Sequence, residues 1–448
     1  MNPTSLSTIA EWAGGELLQG SGGLLVTRLC TDSRALAPGD LFLALRGERF
    51  DGNAFAAESQ KRGAVGVVAD EAPDVPPDFP VILVKDTLAA LQALAGSYRR
   101  TLGMRVLAIT GSNGKTSTKD FAAAVLAERF RVIKTEGNLN NHIGLPLMLL
   151  RADSTHEIGV FEMGMNHPGE IEPLVKLAAP LAGIITNIGV AHIEFMGSRE
   201  AIAEEKGKLA EGLPAEGLLI LSAKDSFSPA LARRTPAKTV FAGTDLHARD
   251  LRPSPEGTRF LLENGTGAAE TVVNAPGAHM VENALLAAAA GRFFGVSLDE
   301  AAAGLKKARL TKGRLEQKMI RGIRFIDDTY NANPDSVAAA LETFPSAGRR
   351  IAVLGRMNEL GAMFESGHRL VGEKAAAAGV ECVIAVGEGA WFISDSARER
   401  GVAQTAHTES VEEAAQMLRG VAKEGDTVLV KGSRSLRMER IVEAMARP

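Results

Sequence analysis

Thr110-Gly111-Ser112-Asn113-Gly114-Lys115-Thr116-Ser117 is the stretch on which the fold turns. It follows the apolar run Arg105-Val106-Leu107-Ala108-Ile109 and opens a segment with helical spacing. A phosphate group needs converging backbone N–H donors, a helix N-terminus and a compact cation, and this order of residues supplies all three. Gly111 and Gly114 let the backbone approach an anion, with Ser112, Asn113 and Ser117 completing the loop. Lys115 is expected to reach β- and γ-phosphates, and Thr116 to offer a hydroxyl to Mg²⁺. The loop is shorter than a full Walker A, because Ile109 stands where that pattern has its first glycine. A bare GKT is weak evidence. The strand–loop–helix setting argues for a nucleotide phosphate site over a plain turn.

On both sides of this stretch short apolar runs alternate with helical patterns. Residues 41–45, 65–69 and 81–84 read as buried strands, and residues 54–62 and 87–100 as helices, the second starting at Asp86-Thr87. Beyond the loop, helix 115–129 and strands 131–135, 158–162, 184–186 and 218–221 continue the alternation, which argues for a parallel sheet covered on both faces. Residues 226–270, rich in Pro, Gly and Thr, are expected to form a small antiparallel excursion before a helix at 280–295. Residues 306–314 hold five basic side chains and read as a linker. After it, strands at 323–327, 350–354, 382–386 and 427–430 alternate with helices at 333–344, 366–379, 390–400, 410–423 and 436–446, a doubly wound pattern.

The length of 448 residues suggests about three domains. The expected fold is α/β with three domains: a central P-loop parallel sheet (104–311), a smaller α/β N-terminal domain (1–103) and a Rossmann-like C-terminal domain (312–448). Fifty basic against 54 acidic residues give a net charge of -4, which argues against nucleic acid as a partner, and 5% aromatic residues against a base-stacking platform. Two cysteines, Cys30 and Cys382, fit a reducing cytoplasm rather than a disulfide framework. Residues 1–11 have neither a basic nor an apolar signal region. The longest uncharged run, 177–193, is broken by Pro180, Gly183 and Gly189 and is too short to span a bilayer, so no membrane insertion is expected.

Several residues downstream carry open readings. Glu162 ends a strand, where a carboxylate can hold Mg²⁺ or stay solvated. His192 follows strand 184–186 and is a metal ligand, a substrate contact or a structural histidine. Lys206, in Glu204-Glu205-Lys206-Gly207-Lys208, reads as part of a solvated helical charge run. Asn138, Asn140 and Asn141 suit recognition of sugar or peptide groups, or equally a capped turn.

Read together, these segments resemble the Mur ligase family over essentially the whole chain. The matching segments are TDSR (31–34), PGDLF (38–42), RGERFDG (46–52), TGSNGKTSTK (110–119), GNLNNHIGLP (137–146), FEMGMNHPGEI (161–171) and NIGVAHIEFMGS (187–198). They continue with EKG (205–207), PGAHMVENALLAAA (276–289), GRLE (313–316), DDTYNANPDS (327–336), LGRMNELG (354–361) and VKGSRSLRME (430–439). GNLNN, DDTYNANP, NELG and KGSRS point within the family to members that join D-alanyl-D-alanine to UDP-N-acetylmuramoyl-tripeptide. The Asp-Asn-Pro-Arg motif of the members that add the third residue is absent. The alternative is a related Mur-type ligase adding a different amino acid or peptide.

The resemblance implies ATP and Mg²⁺ as cofactors and formation of peptidoglycan precursor through an acyl phosphate; a monomer is the default expectation. It assigns Lys115, His192 and a carbamylated Lys206 to catalysis, and Thr116, Glu162, His192 and Lys206 to metal. Asn283, with His279 nearby, Arg314, Asp328, Tyr330 and Asn331 would join Gly111–Ser117 around ATP. Ser33, Arg34, Arg49, Phe50 and Asp51 would hold the uridine diphosphate sugar, and Asn138, Asn140 and Asn141 the muramoyl-peptide. Ser433 and Arg434, with Lys431, would serve the dipeptide. Arg356, His142 and Lys208 depart from the acidic residues common in relatives at those positions.

Overall fold

The computed structural model describes residues 1–47, 50–254, 256–345 and 348–447. The chain divides into two compact units. One holds Met1–Ala108, Phe130–Gly164 and Glu170–Leu181; the other holds Ile109–Arg129, Met165–Gly169 and Ala182–Pro448.

The first unit contains a five-stranded sheet in the order Glu16–Gln19, Val81–Leu83, Gly66–Ala69, Leu41–Leu43, Leu29–Cys30. Its inner pairs are parallel, and the edge strand Glu16–Gln19 runs antiparallel to Val81–Leu83. Phe42, Val67, Ala69, Phe79 and Val81 form the core together with Ala56, the first residue of the helix Ala56–Lys61. The helix Thr87–Thr101 starts where the sequence predicts, because the Asp86 carboxylate accepts the Ala89 N–H at 2.8 Å. A helix at Leu6–Ala13 was not foreseen. Ser5 caps its start and Gly14, with φ of 66°, ends it in the left-handed conformation.

The strand Arg105–Thr110 belongs to a six-stranded sheet ordered Val132–Lys134, Ile158–Glu162, Arg105–Thr110, Ala182–Ile185, Leu218–Ser222, Lys238–Ala242. The strands are apolar and buried, as expected for a sheet covered on both faces. The excursion expected at 226–270 splits. Lys238–Ala242 pairs in parallel with Leu218–Ser222, so it extends the main sheet. Only His247–Ser254, Gly257–Glu263 and Ala268–Val273 form the antiparallel three-stranded piece. Val240 and Phe241 supply the β-branched and aromatic character that a parallel edge strand accepts.

In the second unit a further six-stranded sheet runs Glu316–Ile320, Ile323–Asp327, Thr427–Lys431, Arg350–Gly355, Cys382–Val386, Gln404–Thr408. Its first pair is antiparallel and the rest parallel. Phe325, Ile351, Val353, Ile384, Val428 and Val430 fill its core together with helices Val411–Val421 and Glu439–Ala446. The chain reverses its direction of travel across this sheet at Thr427–Lys431, so the carboxyl ends of Arg350–Gly355 and Thr427–Lys431 border the crevice where such sheets bind ligands. Among the described residues no helix is long and apolar enough to cross a membrane.

The helix that follows the phosphate loop, Lys115–Leu126, is fixed by backbone-to-backbone packing. At Gly304, in the helix Leu298–Lys307, a Cβ would stand 2.6 Å from Val125 Cα and 2.7 Å from Ala124 O. Gly304→Ala is therefore expected to destabilise the protein by about 1–3 kcal/mol through overpacking. Gly420→Ala, at a helical position with nothing within 4 Å of the added carbon, should leave stability level or slightly raised. Unfolding midpoints of the two variants by calorimetry check the contrast.

Candidate active site

The phosphate loop is built against the end of the neighbouring strand. Gly111 has φ of 146°, and a Cβ on it would lie 1.8 Å from Thr186 Oγ1. That hydroxyl donates to the Asn113 carbonyl at 2.6 Å. The Asn187 side chain donates to the same carbonyl and accepts the Asn113 N–H, both at 3.0 Å, while Ser112 N–H donates to Asn187 O at 2.9 Å. Ser112 Oγ in turn accepts the Gly189 N–H at 2.9 Å. Gly114, at φ of 80°, is the N-cap of Lys115–Leu126 and brings no side-chain cap, so the first N–H groups of the helix face outward as an anion site requires. A Cβ on Gly114 would meet Asn283 Oδ1 at 2.5 Å, so the buried Asn283 side chain packs directly on the loop. Lys115 Nζ donates to Gly111 O at 2.7 Å, folded along the loop it is to serve.

Residues from the far end of the chain close on this loop. Asn333 Nδ2 donates to Asn113 Oδ1 at 2.7 Å, Val190 N–H to Asp335 Oδ2 at 3.1 Å, and Arg314 to Thr116 Oγ1 at 3.3 Å. The Arg314 guanidinium also lies 4.1 Å from the centre of the Tyr330 ring, a cation–π contact. The linker is pinned as well: Thr311 donates its N–H and hydroxyl to the buried Asp120 carboxylate, both at 2.8 Å. Together these segments enclose a cavity of about 700 Å³.

The cavity gathers most of the residues read from the sequence. Ser112 to Ser117, His192, Asn283, Arg314, Asp328, Asn331, Ser433 and Arg434 all line it. Gly111 and Tyr330 are not among the lining residues. Lys431 lines it too, but its Nζ is spent on Asp328 Oδ2 at 2.6 Å and Asn331 O at 2.8 Å. Burial pushes the Lys431 ammonium down, against the opposing pull of Asp328. Burial likewise lowers His279, with Asp328 opposing.

Lys206 departs from the charge-run expectation. It lies in the helix Arg199–Glu211 with no solvent exposure, and Glu205 beside it is buried and accepts the Gly169 N–H at 2.9 Å. The face of the helix carrying these two residues turns inward, and Glu204 stays exposed to meet Arg234. His192 has φ of 63° and its Nδ1 lies 2.6 Å from Glu359 Oε2. The His192 contact holds the Glu359 carboxyl below its ordinary range. Glu359, Asn358, Asn187, Asn333 and Asp335 all line the cavity and were missed as single residues. The visible signal for them was their place inside NELG, NIGVAH and DDTYNANPDS.

The remaining candidates belong to the first unit. Glu162 is buried and accepts from Asn140 Nδ2 at 2.9 Å, so Asn140 orients that carboxylate. Asn141 Oδ1 accepts the Gly144 and Ile143 N–H groups, the capped-turn role, and Asn138 is exposed. Arg34 is exposed and paired with Asp32, whose carboxyl its hydrogen bonds pull down to about 2. Ser33 opens the same short helical turn. Phe50 is an exposed aromatic, and Asp51 accepts from the Asn53 N–H. Arg49 lies outside the described residues.

Comparison with known proteins identifies the family. Residues 25–99 match the Mur ligase family catalytic domain, residues 109–291 the Mur ligase middle domain, and residues 313–434 the Mur ligase glutamate ligase domain. The chain belongs to the Mur ligase family. Among Mur ligases it is 40% identical to UDP-N-acetylmuramoyl-tripeptide–D-alanyl-D-alanine ligase of Bacillus subtilis, covering 93% of this chain and 92% of that one. It is 37% identical to the Escherichia coli ligase of the same name, covering 99% of each. Of solved Mur ligases, MurF from Acinetobacter baumannii superposes with a TM-score of 0.91 at 30% identity over 100% of both chains. MurF from Thermotoga maritima in complex with ADP superposes at 0.83, with 29% identity over 94% of this chain and 97% of that one.

One buried histidine holds the segment that carries Glu359. His368 Nε2 accepts the Met357 N–H at 2.9 Å, and Nδ1 lies 2.6 Å from Phe364 O, which requires the neutral Nδ1–H ring. Burial sets the folded value below the ordinary 6.5, with the Phe364 bond opposing and Arg356 reinforcing. Between the lowered folded value and 6.5 the unfolded chain binds the extra proton, so stability falls as pH drops through 6.5 toward the folded value. His279 acts with the same sign. Thermal midpoints between pH 5 and 8 should fall on the acid side. A His368→Leu variant should start lower at pH 8 but show a shallower acid slope.

Proposed function

We propose that this Mur ligase joins D-alanyl-D-alanine to the terminal carboxylate of UDP-N-acetylmuramoyl-tripeptide with conversion of ATP to ADP and phosphate, in the cytoplasm and as a monomer. The observation that carries the reading is the meeting, in one cavity, of the phosphate loop with Arg314, Asp328, Ser433 and Arg434 from the last third of the chain. Whole-length similarity to the Bacillus subtilis and Escherichia coli ligases supports the choice of substrates. We assign residues 1–103 to the acceptor nucleotide sugar, 104–311 to ATP and 312–448 to closure and the incoming amine.

A carboxylate is a poor acyl donor in water, and phosphorylation supplies its leaving group. The tripeptide carboxylate oxygen attacks the γ-phosphorus, the bond to the bridging oxygen breaks, and ADP departs. The dipeptide amine then attacks the acyl carbon, loses its proton, and phosphate leaves with the pair of electrons. The protein's share is positioning and charge neutralisation. The helix N-terminus and Lys115 balance the transferred phosphoryl group, Arg314 stacked on Tyr330 adds a second cation, and Asn283 and Asn331 orient the nucleotide. Ser33, Arg34, Arg49, Phe50 and Asp51 hold the uridine diphosphate end, Asn138, Asn140 and Asn141 face the peptide, and Ser433 and Arg434 receive the dipeptide.

The Thr116 hydroxyl and the buried Glu162 carboxylate are hard oxygen donors of the kind Mg²⁺ takes. The family resemblance adds a carbamate on the buried Lys206 and the imidazole of His192 as further donors. When bound, Mg²⁺ neutralises charge shared by the β- and γ-phosphates. The full burial of Lys206 supports a role inside the protein rather than on a solvated helix face.

Phosphate release measured with UDP-muramoyl-tripeptide should depend strictly on D-alanyl-D-alanine. Release unchanged by leaving out the dipeptide would sink the assignment. Lys115→Ala should lower turnover by about 10²–10³-fold or more, the scale for losing one preorganised charge-stabilising group.

A further inference from the structure

We infer that Glu359 is a positioning residue that fixes the ring of His192, and that it does so only when the loop after the strand Arg350–Gly355 is docked. The inference deepens the ligase reading and rests on it for the meaning of its kinetic arm.

Two non-glycine residues in the left-handed region face each other here. His192 and Glu359 each have φ of 63°, a conformation that a side chain with a Cβ rarely adopts without an external reason. Two contacts join their segments. Nδ1 of His192 lies 2.6 Å from Glu359 Oε2, and the Glu194 N–H donates to Glu359 O at 3.1 Å. The side-chain contact is a close ionic approach and not a well-directed hydrogen bond. Gly361, at φ of 49°, lets the loop lie flat on this spot, since a Cβ there would stand 3.1 Å from Glu194 Cα.

The same loop is tied on its other side to the segment proposed for the dipeptide. Asn358 N–H donates to Ser433 Oγ and Asn358 Nδ2 to Ser435 Oγ, both at 2.9 Å. Residues 358 and 359 thus bridge the amine-receiving side and the histidine on the phosphoryl side. A carboxylate on Nδ1 holds the proton there and leaves Nε2 unprotonated, as a ligand or proton acceptor must be. The arrangement makes a competent His192 conditional on a docked loop.

The test uses the free full-length protein with its eight histidines ¹⁵N-labelled, at pH 8, where an ordinary imidazole is neutral. His192 is assigned by the signal lost in His192→Asn. The wild type should show the Nδ1–H form. Glu359→Gln, whose amide oxygen still accepts from Nδ1–H, should keep it. Glu359→Gly accepts φ of 63° without strain, so the loop survives, but His192 should move toward the Nε2–H form. In the ligase assay Glu359→Gly should lose about 10–100-fold in kcat, the usual scale for a lost outer partner of a functional histidine, with KM for ATP unchanged. A Glu359→Gly protein that keeps the wild-type ring form or the wild-type kcat overturns the inference. So does a Glu359→Gln protein that loses the ring form as fully as Glu359→Gly. The ring measurement needs no substrate, so a wrong substrate assignment would silence the kinetic arm in the wild type and leave the spectra intact.

Discussion

The seating of the Gly111–Gly114 loop on Thr186 and Asn187 is the constraint from which the rest of the site follows. The Thr186 hydroxyl occupies the place that a side chain on residue 111 would need. With Asn187 it takes up the N–H and carbonyl of Asn113 completely. The loop is therefore held before any ligand arrives, and the donors that remain for an anion are those of the helix start. Preorganised donors of this kind need no rearrangement as charge develops on a phosphoryl group, which is where their catalytic value lies. A serine or alanine at 111 would push the loop off the strand end and turn the helix dipole away from its target.

The contacts that close the site are of a different character. Asn333 on Asn113, Asp335 on Val190, Arg314 on Thr116 and Glu359 on His192 are polar pairs, partly buried or, for Asp335, exposed. Each of the three hydrogen bonds contributes a net of about 0.5–1.5 kcal/mol, and the partly exposed His192–Glu359 ion pair about 0–1 kcal/mol. Against them stands the backbone strain of His192 and Glu359, of order 1–3 kcal/mol each. Terms of this size nearly balance. A ligase that must admit two large substrates and release three products needs closure that is specific in geometry yet weak in energy, and side-chain amides and carboxylates supply that where an apolar interface would not.

What could be read from the sequence follows from burial. Strands such as Arg105–Thr110 and Cys382–Val386 are apolar on both faces and announce themselves. Gln404–Thr408 and Glu316–Ile320 escaped because they are edge strands with polar, half-exposed side chains. The phosphate loop was legible because its chemistry is local: consecutive residues carry the function. Lys206 was not, since only the packing of its helix shows which of five consecutive residues turns inward. Glu359 was further from reach, because a positive φ at a glutamate leaves no trace in composition or period. Asn140 and Asn141 show the limit sharply. The two neighbours look alike in sequence, yet one orients Glu162 and the other caps a turn.

Lys431 illustrates why such a site keeps a buried charge. A lysine with almost no exposure is expensive to desolvate, and its pairing with Asp328 offsets that cost without reversing it. An apolar pair of similar volume would serve stability as well. It would not hold the Asp328 carboxylate at the cavity wall, nor tie down the carbonyl of Asn331, whose side-chain oxygen accepts the Ala332 N–H at 2.9 Å where the residue lines the pocket. Lys431 ends the strand Thr427–Lys431, and Ser433 and Arg434 follow it directly. Its ammonium thus locks the nucleotide side to the segment proposed for the dipeptide. Two of its three N–H donors are consumed in doing so, so of the residues proposed for the dipeptide Arg434 and Ser433 are the ones left to meet its carboxylate, while Lys431 holds Asp328 and the Asn331 carbonyl in place.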